Sequence, residues 1–254
     1  MKSLCSDAFA GLLAVAVGMA AVSPVASAGQ TRVAVAANFT EAVVEIGRLF
    51  REHTGHEAVF SLGSTGKLYT QISQGAPFEV FLAADRKHAA RAVAEGHAVA
   101  DSRFTYATGR IVLFSIDERL ITGPETLRNA AFTRIAIANP ATAPYGAAAV
   151  QVMQALGVHA ALAPRIVQGD SIAQTYQFVA TGNAELGFVA LSQIVGSQAG
   201  SRWLVPEDLH PPLAQDAVLL ERGRDNPVAV AFLAFLKGPQ AAAVIARFGY
   251  GAGD

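Results

Sequence analysis

The residues best placed to do chemistry stand where an apolar run ends and a helical pattern begins. Asn38 follows RVAVAA (32–37), and Ser64-Thr65-Gly66 follows HEAVFSL (56–62). Asn139-Pro140 through Pro144-Tyr145-Gly146 follows RIAIA (134–138), and Asp170-Ser171-Ile172 follows RIVQ (165–168). A helix start carries N–H groups without intrahelical partners and the positive end of the helix dipole, which together attract an anion. Four such starts facing one cleft would hold a dianion with neutral donors alone. A fully deprotonated tetrahedral oxyanion has only acceptors, so its site needs donors and no buried carboxylate. A protonated phosphate would instead gain from a carboxylate that accepts its proton.

Each of these residues also has a structural reading. Asn38, with Glu41 three residues on, has the form of an N-cap in a capping box, and Ser64 and Ser171 would serve as plain caps. Tyr145, between Pro144 and Gly146, fits a turn aromatic with its hydroxyl in water. Asp85, after FLAA, reads first as an N-cap. Capping and ligand binding compete, because a side chain folded back on its own helix cannot point fully at a ligand. The recurrence of four starts at equivalent places favours binding.

Other chemistry is weak. Gly63-Ser64-Thr65-Gly66-Lys67 resembles a phosphate loop, but Ser61 stands where that motif requires its first glycine. Lys67 then reads as a solvated helix residue. The six histidines (53, 56, 88, 97, 159 and 210) include no H-x-x-x-H or H-E-x-x-H pair, so no metal site is expected. No G-x-S-x-G elbow is present, which disfavours a serine hydrolase of that class.

The elements that must position these residues alternate. After RVAVAA, apolar residues recur at Phe39, Val43, Ile46 and Phe50, and Gly55 ends that helix. Strands are predicted at 56–62, 78–83, 111–115, 134–138, 165–168, 186–190 and 217–220, with helices between most of them and two more after Pro227 and Pro239. Such alternation means parallel strands with crossover helices. In open parallel sheets, ligands bind beyond the carboxyl ends of strands, which is where the four helix starts fall. The expected fold is α/β and two-lobed, each lobe a mostly parallel sheet flanked by helices with the cleft between. Residues 29–108 form lobe one, 109–216 lobe two, and 217–254 return to lobe one. The alternation alone is equally compatible with a single wound sheet.

Of the 254 residues, 52% are hydrophobic and 15% charged, which excludes a disordered chain. A net charge of −1 without a basic cluster argues against nucleic acid as a partner. The apolar stretch from Ala8 to Val22, behind Lys2, is short for a membrane span, and Ala26-Ser27-Ala28 has the small-x-small form of a cleavage site. Residues 1–28 are therefore expected to be a cleaved export signal. The single cysteine, Cys5, lies before the apolar stretch and would leave with it, so neither disulfide nor lipid anchor is expected.

VAVAANFTEA (33–42), GSTGKLYTQI (63–72), GAPFEVFLAAD (75–85), NPATAPYG (139–146), LGFVALSQI (186–194) and LKGPQAAAVI (236–245) together resemble the molybdate-binding proteins of bacterial ABC importers. The resemblance spans the chain after residue 28. It implies a periplasmic binding fold of the second type, a monomer without enzymatic activity or cofactor, and delivery of molybdate or tungstate to an inner-membrane ABC permease. By position it assigns Asn38, Ser64 and Thr65 to the ligand site of lobe one, and Tyr145 and Ile172 to that of lobe two. Ile172 would act through its backbone N–H. No metal is implied other than the one inside the oxyanion. Many members carry a tyrosine donor where this chain has Ala190, and Tyr145 is inferred to supply that hydroxyl from another direction. Whether Tyr145 acts by hydroxyl or by N–H stays open, as does sulfate or another tetrahedral oxyanion as the ligand. A secreted phosphate-ester hydrolase and the sensing domain of a regulator are the more distant alternatives.

Overall fold

A computed structural model describes residues 28–129 and 131–253. The expected export signal lies, but for Ala28, outside the described residues. Two five-stranded sheets build the molecule. Sheet 1 uses β1 (Gln30–Ala36), β2 (Glu57–Gly63), β3 (Val80–Leu82), β4 (Phe104–Gly109) and, from the far end of the chain, Leu213–Leu219. Sheet 2 uses β5 (Ile111–Ser115), β6 (Ile135–Ala138), β7 (Ile166–Gly169), β8 (Leu186–Ala190) and β9 (Ser201–Leu204), which makes Leu213–Leu219 β10.

The strand orders are β2-β1-β3-β10-β4 and β7-β6-β8-β5-β9. β1 pairs with β2 and β3 in parallel, whereas β10 runs antiparallel to both β3 and β4. The second sheet repeats this plan, with β6 parallel to β7 and β8 and with β5 antiparallel to β8 and β9. Four strands of each sheet thus point one way and one is reversed. The reversed strands, β5 and β10, are those that receive the chain from the other lobe. One crossing runs from Gly109 through Arg110 to Ile111, and the other through His210-Pro211-Pro212 to Leu213.

The helices are α1 (Thr40–Thr54), α2 (Thr65–Ser73), α3 (Arg86–Ala94), α4 (Glu125–Asn129), α5 (Pro144–Ala155), α6 (His159–Leu162), α7 (Ile172–Ala180), α8 (Pro227–Leu236) and α9 (Pro239–Arg247). α1 buries Ala42, Val43, Ile46 and Phe50 at helical spacing and stops at Gly55, whose φ of 74° suits the residue after a helix end. α8 and α9 pack on α1 and β1, placing Val228, Phe232, Leu236 and Ile245 in one core with Val33 and Val35.

Three parts of this plan escaped the sequence pattern. β4 reads FTYATG, and its threonines and glycine break the apolar run. β9 reads SRWL, with Arg202 and Leu204 outward. The last strand begins at Leu213 and not at Ala217, because Gln215 and Asp216 look unfit for a core. They are buried because each is satisfied: Asp216 accepts from Arg103 Nη1 at 2.8 Å and from Thr105 Oγ1 at 2.8 Å. Gly109 and Leu213–Asp216 therefore lie in sheet 1, so the segment 109–216 expected as lobe two overlaps the first sheet at both ends.

Phe232 is fully buried and meets Phe50 edge to face, ring centroids 5.4 Å apart. Phe232→Ala is expected to lower unfolding stability by about 3–5 kcal/mol, as for other deleted core aromatics. Urea unfolding measures this, and a loss below about 1 kcal/mol would contradict the packing described.

Candidate ligand pocket between the lobes

The parallel strands of both sheets end at one cleft, and the helix starts named from sequence meet there. Asn38, Ser64, Thr65, Tyr145 and Ile172 all line one small pocket, together with small residues such as Ala36, Ala37, Ala84 and Ala143. It is a small cavity, about 10 Å³ in volume. No charged side chain lines it.

Backbone geometry supplies the donors. Thr65 and Ile172 are the first residues of α2 and α7, and Tyr145 is the second of α5, behind Pro144, which has no N–H to leave unpaired. Asn38 sits inside the single 3₁₀ turn Ala37–Phe39 that joins β1 to α1. The N-terminus of α5 reaches the end of β6 only because residue 146 is glycine. A Cβ there would lie 2.1 Å from the Ala138 carbonyl oxygen.

The side chains divide between capping and the pocket. Ser171 is a plain cap, its Oγ accepting from Gln174 N at 3.4 Å, and Asp85 caps α3 by accepting from His88 N at 2.8 Å. Asn38 does not cap at all. Its Nδ2 donates to Gln215 Oε1 at 2.9 Å and to Tyr250 Oη at 3.1 Å, which uses both amide protons. What Asn38 offers the pocket as a donor is its backbone N–H. Ser64 occupies the cap position of α2 without making the cap bond, and its Oγ is buried with no protein partner. Thr65 Oγ1 accepts from Ala84 N at 3.0 Å, so its own proton is free to be given elsewhere.

Tyr145 is 2% exposed and accepts from Gln215 Nε2 at 3.4 Å. Burial pushes its hydroxyl well above the ordinary tyrosine range, and the amides of Gln215 and Asn38 only partly offset this. It therefore stays a protonated donor at any physiological pH. Burial acts in the same direction on Tyr106 and Tyr250.

Behind the pocket lies a polar cluster that the sequence reading missed: Tyr106, Ser192, Gln215 and Tyr250, all buried. Tyr106 Oη meets Gln215 Oε1 at 3.0 Å, and Tyr250 Oη donates to the Asn38 carbonyl at 2.6 Å. Ser192 Oγ donates to the same carbonyl at 2.8 Å, from the other lobe. The signal was present as a polar pair, Gln215-Asp216, inside an otherwise apolar run.

The lobes also meet at the rim. Gly66 N donates to Thr142 O at 2.8 Å, and Lys67 Nζ pairs with Asp170 at 2.8 Å. Lys67 thus stands outside the pocket in a half-exposed ion pair, which ends the phosphate-loop reading. Among the described residues, no group of three His, Cys, Asp or Glu side chains is placed to hold a metal.

A donor-lined pocket between two α/β lobes joined by two crossings is the architecture of a solute-binding protein. Residues 31–251 match the family model described as bacterial extracellular solute-binding protein, and the chain belongs to that family. It is 51% identical to the molybdate-binding protein ModA of Rhodobacter capsulatus over 95% of both chains. It is also 51% identical to ModA of Azotobacter vinelandii, over 94% of this chain and 96% of that one. The solved periplasmic molybdate-binding protein of Azotobacter vinelandii superposes with a TM-score of 0.85 at 39% identity, covering 87% of this chain and 98% of that one.

Three of the buried tyrosines, Tyr106, Tyr145 and Tyr250, give the pocket region a pH signature. In the unfolded chain tyrosine loses its proton near pH ~10, while in the folded chain Tyr106, Tyr145 and Tyr250 keep theirs. The folded state then binds more protons, so stability is fully present below pH ~10 and falls as pH rises past it. Each tyrosine contributes a slope of about 1.4 kcal/mol per pH unit. Unfolding free energies measured upward from pH 8 are expected to be flat and then to fall, more shallowly in Tyr106→Phe. An unchanged slope in that variant would contradict the assignment.

Proposed function

We propose that this protein captures molybdate, and tungstate with it, in the periplasm and hands it to an inner-membrane ABC permease. The observation that carries the reading is a pocket lined by donors and by no charged side chain, in a chain half identical to two molybdate-binding proteins. Molybdate at neutral pH is a tetrahedral dianion without protons. It suits the N–H groups of Asn38, Thr65, Tyr145 and Ile172 and the hydroxyls of Ser64, Thr65 and Tyr145. The unpartnered Ser64 Oγ supports this, since a buried hydroxyl without a partner costs about 1–3 kcal/mol that a ligand would recover. Tungstate has the same charge and nearly the same size. Phosphate carries a proton at neutral pH and would find no carboxylate to receive it.

Binding closes the lobes about Arg110 and Pro211-Pro212, because an ion bridging both lobes favours the state in which all donors reach it. Nothing in the pocket acts as a general base or a nucleophile with an adjacent base, so the role is capture without turnover. Residues 1–28 serve as the export signal, and the mature chain acts as a monomer.

Calorimetric titration with molybdate, tungstate, sulfate and phosphate tests the reading. Molybdate and tungstate are expected to bind alike, phosphate not at all. Sulfate binding as tightly as molybdate would replace the ligand with a broader oxyanion class. Thr65→Ala and Tyr145→Phe are each expected to weaken molybdate by about 1–3 kcal/mol, as for lost hydrogen bonds to a charged group. Unchanged affinity in both would overturn the site.

A further inference from the structure

The hydroxyl of Tyr145 can either donate or accept, and an ion with only acceptors needs it to donate. The buried cluster decides which. Tyr250 has one proton, which goes to the Asn38 carbonyl at 2.6 Å or to Ser192 Oγ at 3.0 Å. In either case Tyr250 Oη must accept from Asn38 Nδ2, 3.1 Å away, and this fixes which end of the Asn38 amide faces inward. The second Nδ2 proton then points at Gln215 and requires its Oε1, which also faces Tyr106 Oη at 3.0 Å. Gln215 is left with Nε2 toward Tyr145, so the Tyr145 oxygen accepts there. Among the described residues no acceptor takes the Tyr145 proton.

We infer that Gln215, set by Tyr250 and Asn38, is a positioning residue that fixes the polarity of the Tyr145 hydroxyl and so reserves its proton for the bound oxyanion. Gln215 is fully buried and stands on β10, in sheet 1, while Tyr145 stands on α5, beside sheet 2. The donor of one lobe is thereby oriented from the other. Gly109 makes the meeting possible. A Cβ at this position, the last before the first crossing, would lie 2.1 Å from Tyr145 Oη and 2.5 Å from Gln215 Nε2.

This rests on the proposed capture of molybdate, and a double-mutant cycle separates the two claims. Wild type is titrated first; if it does not bind molybdate, the functional reading fails and the cycle is not the cause. Gln215→Glu exchanges the Nε2 donor for an acceptor, which draws the Tyr145 proton away from the pocket and adds a charge. It is expected to weaken molybdate by about 100-fold or more, a factor of 100 being about 2.7 kcal/mol. In the Tyr145→Phe background only the charge effect remains, and the factor is expected to shrink at least about tenfold, or about 1.4 kcal/mol. Equal factors in both backgrounds would overturn the inference. Gly109→Ala provides a second cycle should Gln215→Glu not fold. Its added methyl displaces the hydroxyl, so it is expected to weaken binding about tenfold in wild type and at most about threefold with Tyr145→Phe, where the nearest ring carbon is 3.0 Å away. Additive losses there would equally contradict the role.

Discussion

A hydroxyl or amide buried away from water must face a partner of the opposite sense, and this constraint organises the centre of the molecule. Two lobes that close over a pocket remove its N–H and O–H groups from solvent. Each group left without a partner costs a fraction of the stability of the closed form. Ser64 Oγ stands unpaired, and the N–H groups of Thr65, Tyr145 and Ile172, in the first turns of α2, α5 and α7, lie at the pocket with no carbonyl from their own helices to receive them. A ligand that accepts from all sides would satisfy these groups. On the proposed function, that is the dianion.

The same constraint explains why charged side chains stay away from the pocket. A lysine there would bind an oxyanion more strongly in isolation, but it would have to be desolvated whenever the lobes met without a ligand. Neutral donors carry a smaller penalty and keep their direction, because helices and neighbouring hydrogen bonds hold them. Lys67, next in sequence to the site, is turned to the rim and paired with Asp170 across the cleft, where water screens it. The rim pair and the Gly66–Thr142 bond hold the lobes together outside the site.

Solute-binding proteins need lobes that move as bodies and a site that is complete only when they meet. Here the two crossings enter each sheet through its reversed strand, close to the carboxyl ends of the parallel strands. Rotation about them would bring the helix starts together with little change inside either core. The cluster of Asn38, Ser192, Gln215 and Tyr250 lies at the base of that rotation and contains groups from both lobes. On the proposed function, closing the lobes and orienting the donors would be one event.

Much of the architecture was legible in local residue patterns. Apolar periodicity, turn residues and the position of small polar residues after strands disclosed most strands, the principal helices and the four helix starts. The cap at Asp85 was its first reading and the cap at Ser171 one of two, because capping is decided within four residues. The pairing of α8 and α9 with the first lobe was legible as a leftover segment, and the ligand class came from motif resemblance. Tertiary structure alone decided what long-range partners fix. Asn38 looked like a cap, yet its amide bonds to residues 177 and 212 positions away. Gln215 and Asp216 looked unfit for a strand, yet both are buried because their partners arrive from β4 and from the helix starts. The physical reason is the same in each case. Local backbone preference is written in neighbouring residues, whereas the sense of a buried hydrogen bond depends on which distant group the fold brings to face it.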